Sequence, residues 1–573
     1  MHLKQSKYKN GRTYISIVES YRGEDKKPRI RTVKTFGFLD ELVETYGENA
    51  LEKCKEICDE MTKQAKENKK AKLEIFLEQK INDRTSNRKN VGSAVITRMI
   101  NDLLVDRPIK NSRLAKAKDF SVSSVLRLMI CERLLNPGSK LSDWQNKDNY
   151  FFKTDFSDDD MYRSLDILAD LKPNIISSMN KSIERMNLRD KTDKKYYDVT
   201  NYYFEIDDTD DLRKHGVSKE HRKSPIVQMG LLQDANGIPI TYKLFGGNTN
   251  DCLTLIPVLE EVKKEQSISR VIVVADKGLN TSDNIAANVA KGNGFIFSQS
   301  IRGTKTKQGL KKWVISDKDY RYGGKDGFKI KSKIDTRTVH LKPENTFDGK
   351  AKHIDIPIKV VGFYSDKYAK KARRDRASAI AKAEDMLRRP GLYNKASSYG
   401  AAKYIKDIKF DVNTGEIINK QALSFDEEKL REEEACDGYY CIVTSEVDMS
   451  AGDIIDAYKN LWRIEESFKI TKSQLKSRPV YVRTPKHIEA HFLTCYIALT
   501  IARLLQLKCK NHYSIEQILG TLKKQNCSNI DENYWLFDYI NDTSRDLFEM
   551  LDLKHPTKFM QLNELKKLFS GRK

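Results

Sequence analysis

Residues 194–300 constrain the fold of this chain more than any other stretch. KKYYDVTNYYFEI is rich in Tyr, Val and Phe, the composition of a strand. SPIVQMGLLQD and GIPITYKLFGG flank Ala235-Asn236-Gly237, and Asn-Gly is the turn that joins hairpin strands. TLIPVLEEVKKEQ reads as a helix, RVIVVADKG as a buried strand, TSDNIAANVAKG as a helix capped by Thr281 or Ser282, and GFIFSQS as a last strand. The order is three strands, helix, strand, helix, strand, which specifies an α/β sheet. Asp198 sits inside the first strand and Asp276 ends the fourth. An acid at the end of a buried strand points into the crevice where open α/β sheets hold ligands.

The flanks differ. TYISIVES and RIRTVKTFGF read as a hairpin around RGEDKKP, followed by a charged helical pattern from about 41 to 82. Residues 92–190 look all-helical, with SAVITRMINDLLV, SVSSVLRLMICERLL and MYRSLDILADL at helical spacing. Short helices and tight turns there permit a helix-turn-helix-like DNA reader. Residues 301–435 mix strand-like pieces with the basic helical run YAKKARRDRASAIAKAEDMLRR. After the strand GYYCIVTSE, AGDIIDAYKNLWRIEESFKITKSQL reads as one long helix and HIEAHFLTCYIALTIARLLQL as an apolar one.

Charge narrows the function. The chain carries 103 Lys and Arg against 81 Asp and Glu, a net of +22. The excess sits in two blocks: residues 1–150 are +10 and residues 301–400 are +15, around a middle that is −3. Such blocks favour a polyanion, most simply nucleic acid. Lys370, Lys371, Arg373 and Arg374 form the densest cluster and are candidate phosphate contacts. No membrane span is expected, because the best apolar run, Phe492 to Leu507, is short and broken by Arg503. MHLKQSKYKNGR lacks the apolar core of a signal peptide. Nine scattered cysteines fit a reducing cytosol, and Cys54 and Cys58 lack the second pair a zinc site needs.

A third acid should come from a helix packed on the sheet. Tyr458, Glu465 and Lys472 in YKNLWRIEESFKITK are spaced seven and seven, which shares one helix face. Lys469, four residues after Glu465, joins that face, and Glu466 is the alternative acid about 100° round. Trp462 at such a spacing is expected in the core.

YYDVTNYYFE, VIVVADKGLN and YKNLWRIEESFKITK together resemble the DDE transposases of bacterial insertion sequences, in the group with a Tyr-Arg-Glu-Lys signature around the catalytic glutamate. Tyr458, Glu465 and Lys472 match the signature, while its Arg position holds Leu461. Arg463 lies about 200° further round the helix and does not replace it. SYRG and VKTFGFLDEL also look like the opening of one insertion-sequence branch.

The resemblance implies a multidomain protein with an α/β ribonuclease-H-like catalytic core, a basic insertion domain, and a small β region and helical DNA-binding region in front. The expected bounds are 1–60 for the β-hairpin region, 61–190 for the helical DNA-binding region, 191–300 with 438–510 for the core, 301–437 for the insertion and 511–573 for a helical tail. It implies a transposase that binds its element's inverted repeats, cleaves the ends and joins them to target DNA. Asp198, Asp276 and Glu465 would hold two Mg²⁺ ions, with Mn²⁺ as a substitute, because hard cations take oxygen ligands. Tyr458 and Lys472 would touch end phosphates. The partners implied are transposon-end and target DNA and, in the DNA complex, a second copy of the chain. The place implied is the cytoplasm, on the nucleoid when DNA-bound. A catalytically dead DNA-binding derivative and a ribonuclease-H-like nuclease are the other readings.

Overall fold

A computed structural model of the chain describes residues 1–22, 27–67, 87–216, 224–266, 270–302, 308–323, 327–341, 343, 346, 348–393, 397–398, 400–410, 417–418, 423–531 and 533–570. The expected turn at 23–26 and the helical pattern beyond 67 lie outside these residues. The chain divides into two units, Met1–Asp83 and Arg84–Lys573.

In the first unit, β1 (His2–Lys7), β2 (Thr13–Arg22) and β3 (Pro28–Phe38) form an antiparallel sheet in that order. Helices α1 (Leu39–Tyr46) and α2 (Ala50–Glu67) follow. Ile15, Leu42, Ala50 and Cys54 make its core, so Cys54 is a packing residue.

The second unit opens with β4 (Arg88–Asn90) and six helices: α3 (Ser93–Asp102), α4 (Asp106–Asn111), α5 (Arg113–Lys116), α6 (Val122–Leu135), α7 (Lys140–Gln145) and α8 (Asp158–Arg185). Next come β5 (Lys194–Tyr203), β6 (Ile226–Asp234), β7 (Pro239–Gly246), α9 (Leu255–Gln266), β8 (Ile272–Ala275), α10 (Ser282–Ala290) and β9 (Gly294–Ser298). This is the strand and helix order expected from residues 194–300. The β6–β7 turn is built by Asp234, whose Oδ1 accepts from the Asn236 and Ile238 amides at 3.0 and 2.9 Å, with Gly237 at φ +80°.

The following segment holds α11 (Gln308–Ile315), β10 (Arg321–Tyr322), β11 (Lys329–Leu341), β12 (Lys352–Tyr364), α12 (Asp366–Arg388), β13 (Ile405–Lys406), β14 (Ser424–Phe425) and α13 (Glu427–Glu434). Its long β11–β12 hairpin pairs through β12 with β15 (Tyr439–Thr444), and β15 pairs with β9. Among the described residues the result is one nine-stranded sheet, ordered β10-β11-β12-β15-β9-β8-β5-β6-β7. Ala383, Met386, Ala401, Tyr404, Ile405 and Ile417 close a separate small core beyond it.

The chain ends with α14 (Ala451–Lys459), α15 (Trp462–Ser473), α16 (Pro485–Lys508), α17 (Ile515–Lys524), β16 (Asn526–Asp531), β17 (Tyr534–Phe537), α18 (Asp542–Met550), β18 (Phe559–Gln561) and α19 (Leu562–Ser570). The first and last parts of this unit interlock. β4 pairs with β16, and α16 packs on α6 and α8. At 24 residues, α16 is long and apolar enough to cross a membrane, contrary to the sequence expectation, yet 94% of its apolar window is buried by protein. That burial makes it the central helix of the layer, with Arg503 at its inner face reaching α15.

Glu132 on α6 is fully buried, and it accepts hydrogen bonds from Tyr150 and from Asn146 Nδ2 at 2.8 Å. Burial pushes its carboxyl up to about 7. A carboxyl raised in the folded state binds its proton more tightly there than when unfolded. Its contribution is therefore present below about pH 4.5 and is lost as pH rises toward 7. Glu132→Gln should flatten that part of the stability curve and raise stability at neutral pH by up to about 3 kcal/mol, if the Gln amide keeps the Tyr150 and Asn146 contacts. Urea denaturation at pH 4.5 and 7.5 checks this.

Candidate active site

The site lies at the carboxyl ends of β8 and β9, beside the middle of β5. β5 pairs in parallel with β8, Lys194↔Ile272 through Tyr196↔Val274, and β8 with β9, Ile272↔Gly294 through Ala275↔Phe297. Carried on along the strands, this register sets Asp198, Asp276 and Ser298 in one row. Neighbouring strands lie about 4.8 Å apart.

Alternation fixes the face. Tyr196 and Tyr202 of β5, Ile272 and Val274 of β8 and Ile296 of β9 all point into the core shared with α14, α15 and α16. Tyr197, Val199, Val273 and Phe297 point into the opposite core. Asp198, Asp276 and Ser298 have the parity of the first set and so face the helices. The Tyr196 hydroxyl donates to the Ala457 carbonyl of α14 at 3.1 Å. The Tyr202 hydroxyl lies 2.8 Å from Thr471 Oγ1 of α15. Asp198 falls between these two anchors and is half-buried.

Asp276 is exposed, and its Oδ1 accepts from Ser298 Oγ at 2.7 Å and from the Tyr458 hydroxyl at 3.3 Å. Burial, and next the Asp276 charge, push the Tyr458 hydroxyl well above its ordinary pKa, so it stays a proton donor. Ser298 escaped the sequence reading. The signal was there: in GFIFSQS it ends a strand next to the one that Asp276 follows. Behind it, Asn280 Nδ2 donates to the Ser298 carbonyl at 2.9 Å, and Arg337 of β11 donates to Asn280 Oδ1 at 2.8 Å.

The expected single helix through 451–475 is two. The Leu461, Arg463 and Ile464 amides bond three residues back, to Tyr458, Asn460 and Leu461 at 3.0, 3.1 and 3.1 Å. A three-residue turn advances about 120° per residue instead of 100°. The junction turns Tyr458 relative to Glu465 away from the straight-helix relation that their spacing predicts. Leu461 sits at this junction, 7% exposed and part of the core. Arg463 is also committed, donating to the Ala235 carbonyl at the β6–β7 turn at 2.6 Å.

Glu465 is exposed in the first turn of α15 and has no hydrogen bond or ion pair among the described residues. Glu466, the alternative acid, instead pairs with the buried Arg503 at 2.7 Å. Trp462 is 52% exposed, not in the core as expected. Lys469 is exposed on α15, and Lys472 Nζ lies 5.5 Å from the Tyr202 ring centre. Lys370, Lys371, Arg373 and Arg374 are all exposed on α12, while Arg376 turns inward to Asp437 with two 2.6 Å bonds. As they stand, no three acidic, His or Cys side chains among the described residues form a ready-made metal cluster.

Residues 204–501 match the model of the transposase DDE domain, a match that begins just beyond Asp198. The chain belongs to the DDE transposases. Residues 1–72 match the IS1634 family transposase N-terminal domain, which places it among those of insertion sequences. The structure is similar to the piggyBac transposase synaptic complex with hairpin DNA, at 10% identity over 82% of this chain and 84% of that one, with a TM-score of 0.30. No curated protein matches the chain.

Proposed function

We propose that the chain cuts the terminal repeats of its own insertion sequence and joins the freed ends to target DNA, with Asp198, Asp276 and Glu465 as the catalytic carboxylates. The observation that carries this is the register that sets Asp198 beside Asp276 on parallel neighbours, on the face that α14 and α15 cover. Glu465 opens α15 between the contacts made by Ala457 and Thr471. The order β7-β6-β5-β8-β9, with β6 antiparallel and β8 parallel to β5, supports reading this part of the sheet as ribonuclease-H-like.

The donor set fits hard divalent cations, because it is all carboxylate oxygen and Asp276 and Glu465 are open to solvent. Bound there, a pair of Mg²⁺ ions, or Mn²⁺ in their place, would supply activation of the attacking hydroxyl and stabilisation of the leaving 3′ oxygen. Ser298 and Tyr458 hold Asp276 by one oxygen and leave the other free to bind. Bringing the three carboxylates together would need bound cations to offset their mutual repulsion. Lys472, Lys469 and Tyr458 would line the approach and hold the phosphates of the scissile end. A second copy of the chain would bring the other end, in the cytoplasm on nucleoid DNA.

The test is incubation of the full chain with duplexes carrying the repeats that flank its gene, with Mg²⁺ and with EDTA. Mg²⁺-dependent cuts at the repeat ends are expected. Cutting without regard to the repeats would indicate a nuclease, and no cutting a dead derivative.

The α12 cluster would add affinity without sequence choice. Charge reversal at Lys370, Lys371, Arg373 and Arg374 should weaken binding equally for all duplexes. The log–log salt slope should fall by roughly 0.9 for each phosphate no longer neutralised. Anisotropy titrations across a salt series read it, and an unchanged slope would mark a merely solvated face.

A further inference from the structure

The first unit separates its charge by layer. The described residues of its sheet region, 1–22 and 27–38, carry nine Lys and Arg and one acid, Glu19. Its helical region, 39–67, carries nine acids and four Lys, a net of −5. Glu52, Glu56 and Glu60 are spaced by four along α2, which lines them up on one face.

The basic layer extends past the helices that cover the rest of the sheet. β3 is an edge strand, and Pro28 through Thr35 are all exposed, so neither of its faces is covered along that length. Its neighbour β2 is exposed at Ser20 and Tyr21. The β2–β3 pairing continues to Tyr21↔Arg29, so a two-stranded ribbon is uncovered there. Arg29 and Arg31 lie on one side of it, with Arg31 held by Glu19 at 2.7 Å and 5.6 Å from the Tyr21 ring. Ile30 is 61% exposed and Val33 is 36% exposed.

An edge strand with Pro at its start and three cations along it resists pairing with a further strand. A protein strand is therefore a poor occupant. A two-stranded ribbon fits the major groove of duplex DNA, where cations meet phosphates and guanine edges and apolar side chains meet thymine methyls. We infer that the β2–β3 ribbon enters the major groove of duplex DNA, with Arg29, Arg31 and Lys34 as its charged contacts and Ile30 and Val33 as its apolar ones. This assignment rests on the transposase reading for its partner.

The full chain carrying Arg29→Glu, Arg31→Glu and Lys34→Glu tests it, beside a milder chain with Gln at the same positions and a control with Glu52, Glu56 and Glu60 changed to Gln. Circular dichroism establishes that each is folded. With the reversed ribbon, affinity for a repeat-end duplex should fall at least tenfold. The log–log salt slope should fall by about 1 for each phosphate the ribbon releases, with a smaller fall for the Gln variant. The α2 control should bind no more weakly than the parent. Guanine N7 methylation, a major-groove mark, should interfere with binding by the parent and less with the reversed chain. Unchanged affinity and slope in the reversed chain, or interference identical in both, overturns the inference, as does stronger binding of single-stranded RNA than of duplex. If the parent cuts repeat ends while the reversed chain binds like the parent, the ribbon assignment alone fails. If the parent never cuts yet the reversed chain loses duplex affinity, the ribbon stands and the catalytic reading fails.

Discussion

Asp198→Asn, Asp276→Asn and Glu465→Gln should each reduce Mg²⁺-dependent end cleavage by about 1,000-fold or more. On the two-cation reading each removes a negative ligand, and the bound cations would contribute several kcal/mol of transition-state stabilisation, at about 1.4 kcal/mol per factor of ten. Affinity for end DNA should stay within about twofold, because the basic surfaces that supply it lie elsewhere. Glu466→Gln is the sharp control. Its side chain pairs with Arg503, and Gln keeps a hydrogen bond there, so cleavage should persist. Gel shift and cleavage measured on the same four proteins decide the matter. A Glu465→Gln chain that still cuts, or a Glu466→Gln chain that does not, would move the third acid to its neighbour and sink the assignment.

The second large effect is on stability. Leu461 is buried where the family signature has an arginine. Leu461→Arg would put a charge into the core at the α14–α15 junction. An unpaired buried charge costs about 3–5 kcal/mol. Leu461→Met, which conserves volume and apolarity, should cost less than about 1.5 kcal/mol. Denaturant midpoints of the two variants measure the difference. A stable Leu461→Arg chain would mean that the long side chain escapes to the DNA side, and cleavage should then rise. If it is unstable, as expected, the phosphate contacts at the scissile end would fall to Tyr458, Lys472 and Lys469.

Much of this was legible in the chain. Alternation and the Asn-Gly turn marked β5 to β7, and the apolar run ending in Asp276 marked β8, because local pattern dictates local structure there. The Leu461 junction was not legible. KNLWR is as good a helix sequence as its neighbours, and a tight turn differs from an α-turn only in which carbonyl each amide finds. The partner of Glu466 was equally hidden, since Arg503 is 37 residues away on another helix. The pattern also showed FKIKSKI, TRTVHL and IPIKVVGFYS as strand-like without showing that they continue the same sheet as Asp276. That is decided by β15 joining β9, a long-range pairing that no local propensity records.

The interlocking of the helical layer has a consequence for synthesis. α3 to α8 leave the ribosome early, but α16, against which α6 and α8 pack, begins only at Pro485, and β4 waits for β16 at Asn526. About 300 residues separate α8 from α16, so at 5–20 residues per second the apolar faces of the nascent helices stay uncovered for roughly 15–60 s. During that interval the growing polypeptide depends on chaperones or on provisional contacts to stay out of aggregates. Any message cut short before the codons for α16 yields a product that cannot close this layer, so complete translation is itself a checkpoint on the appearance of functional enzyme.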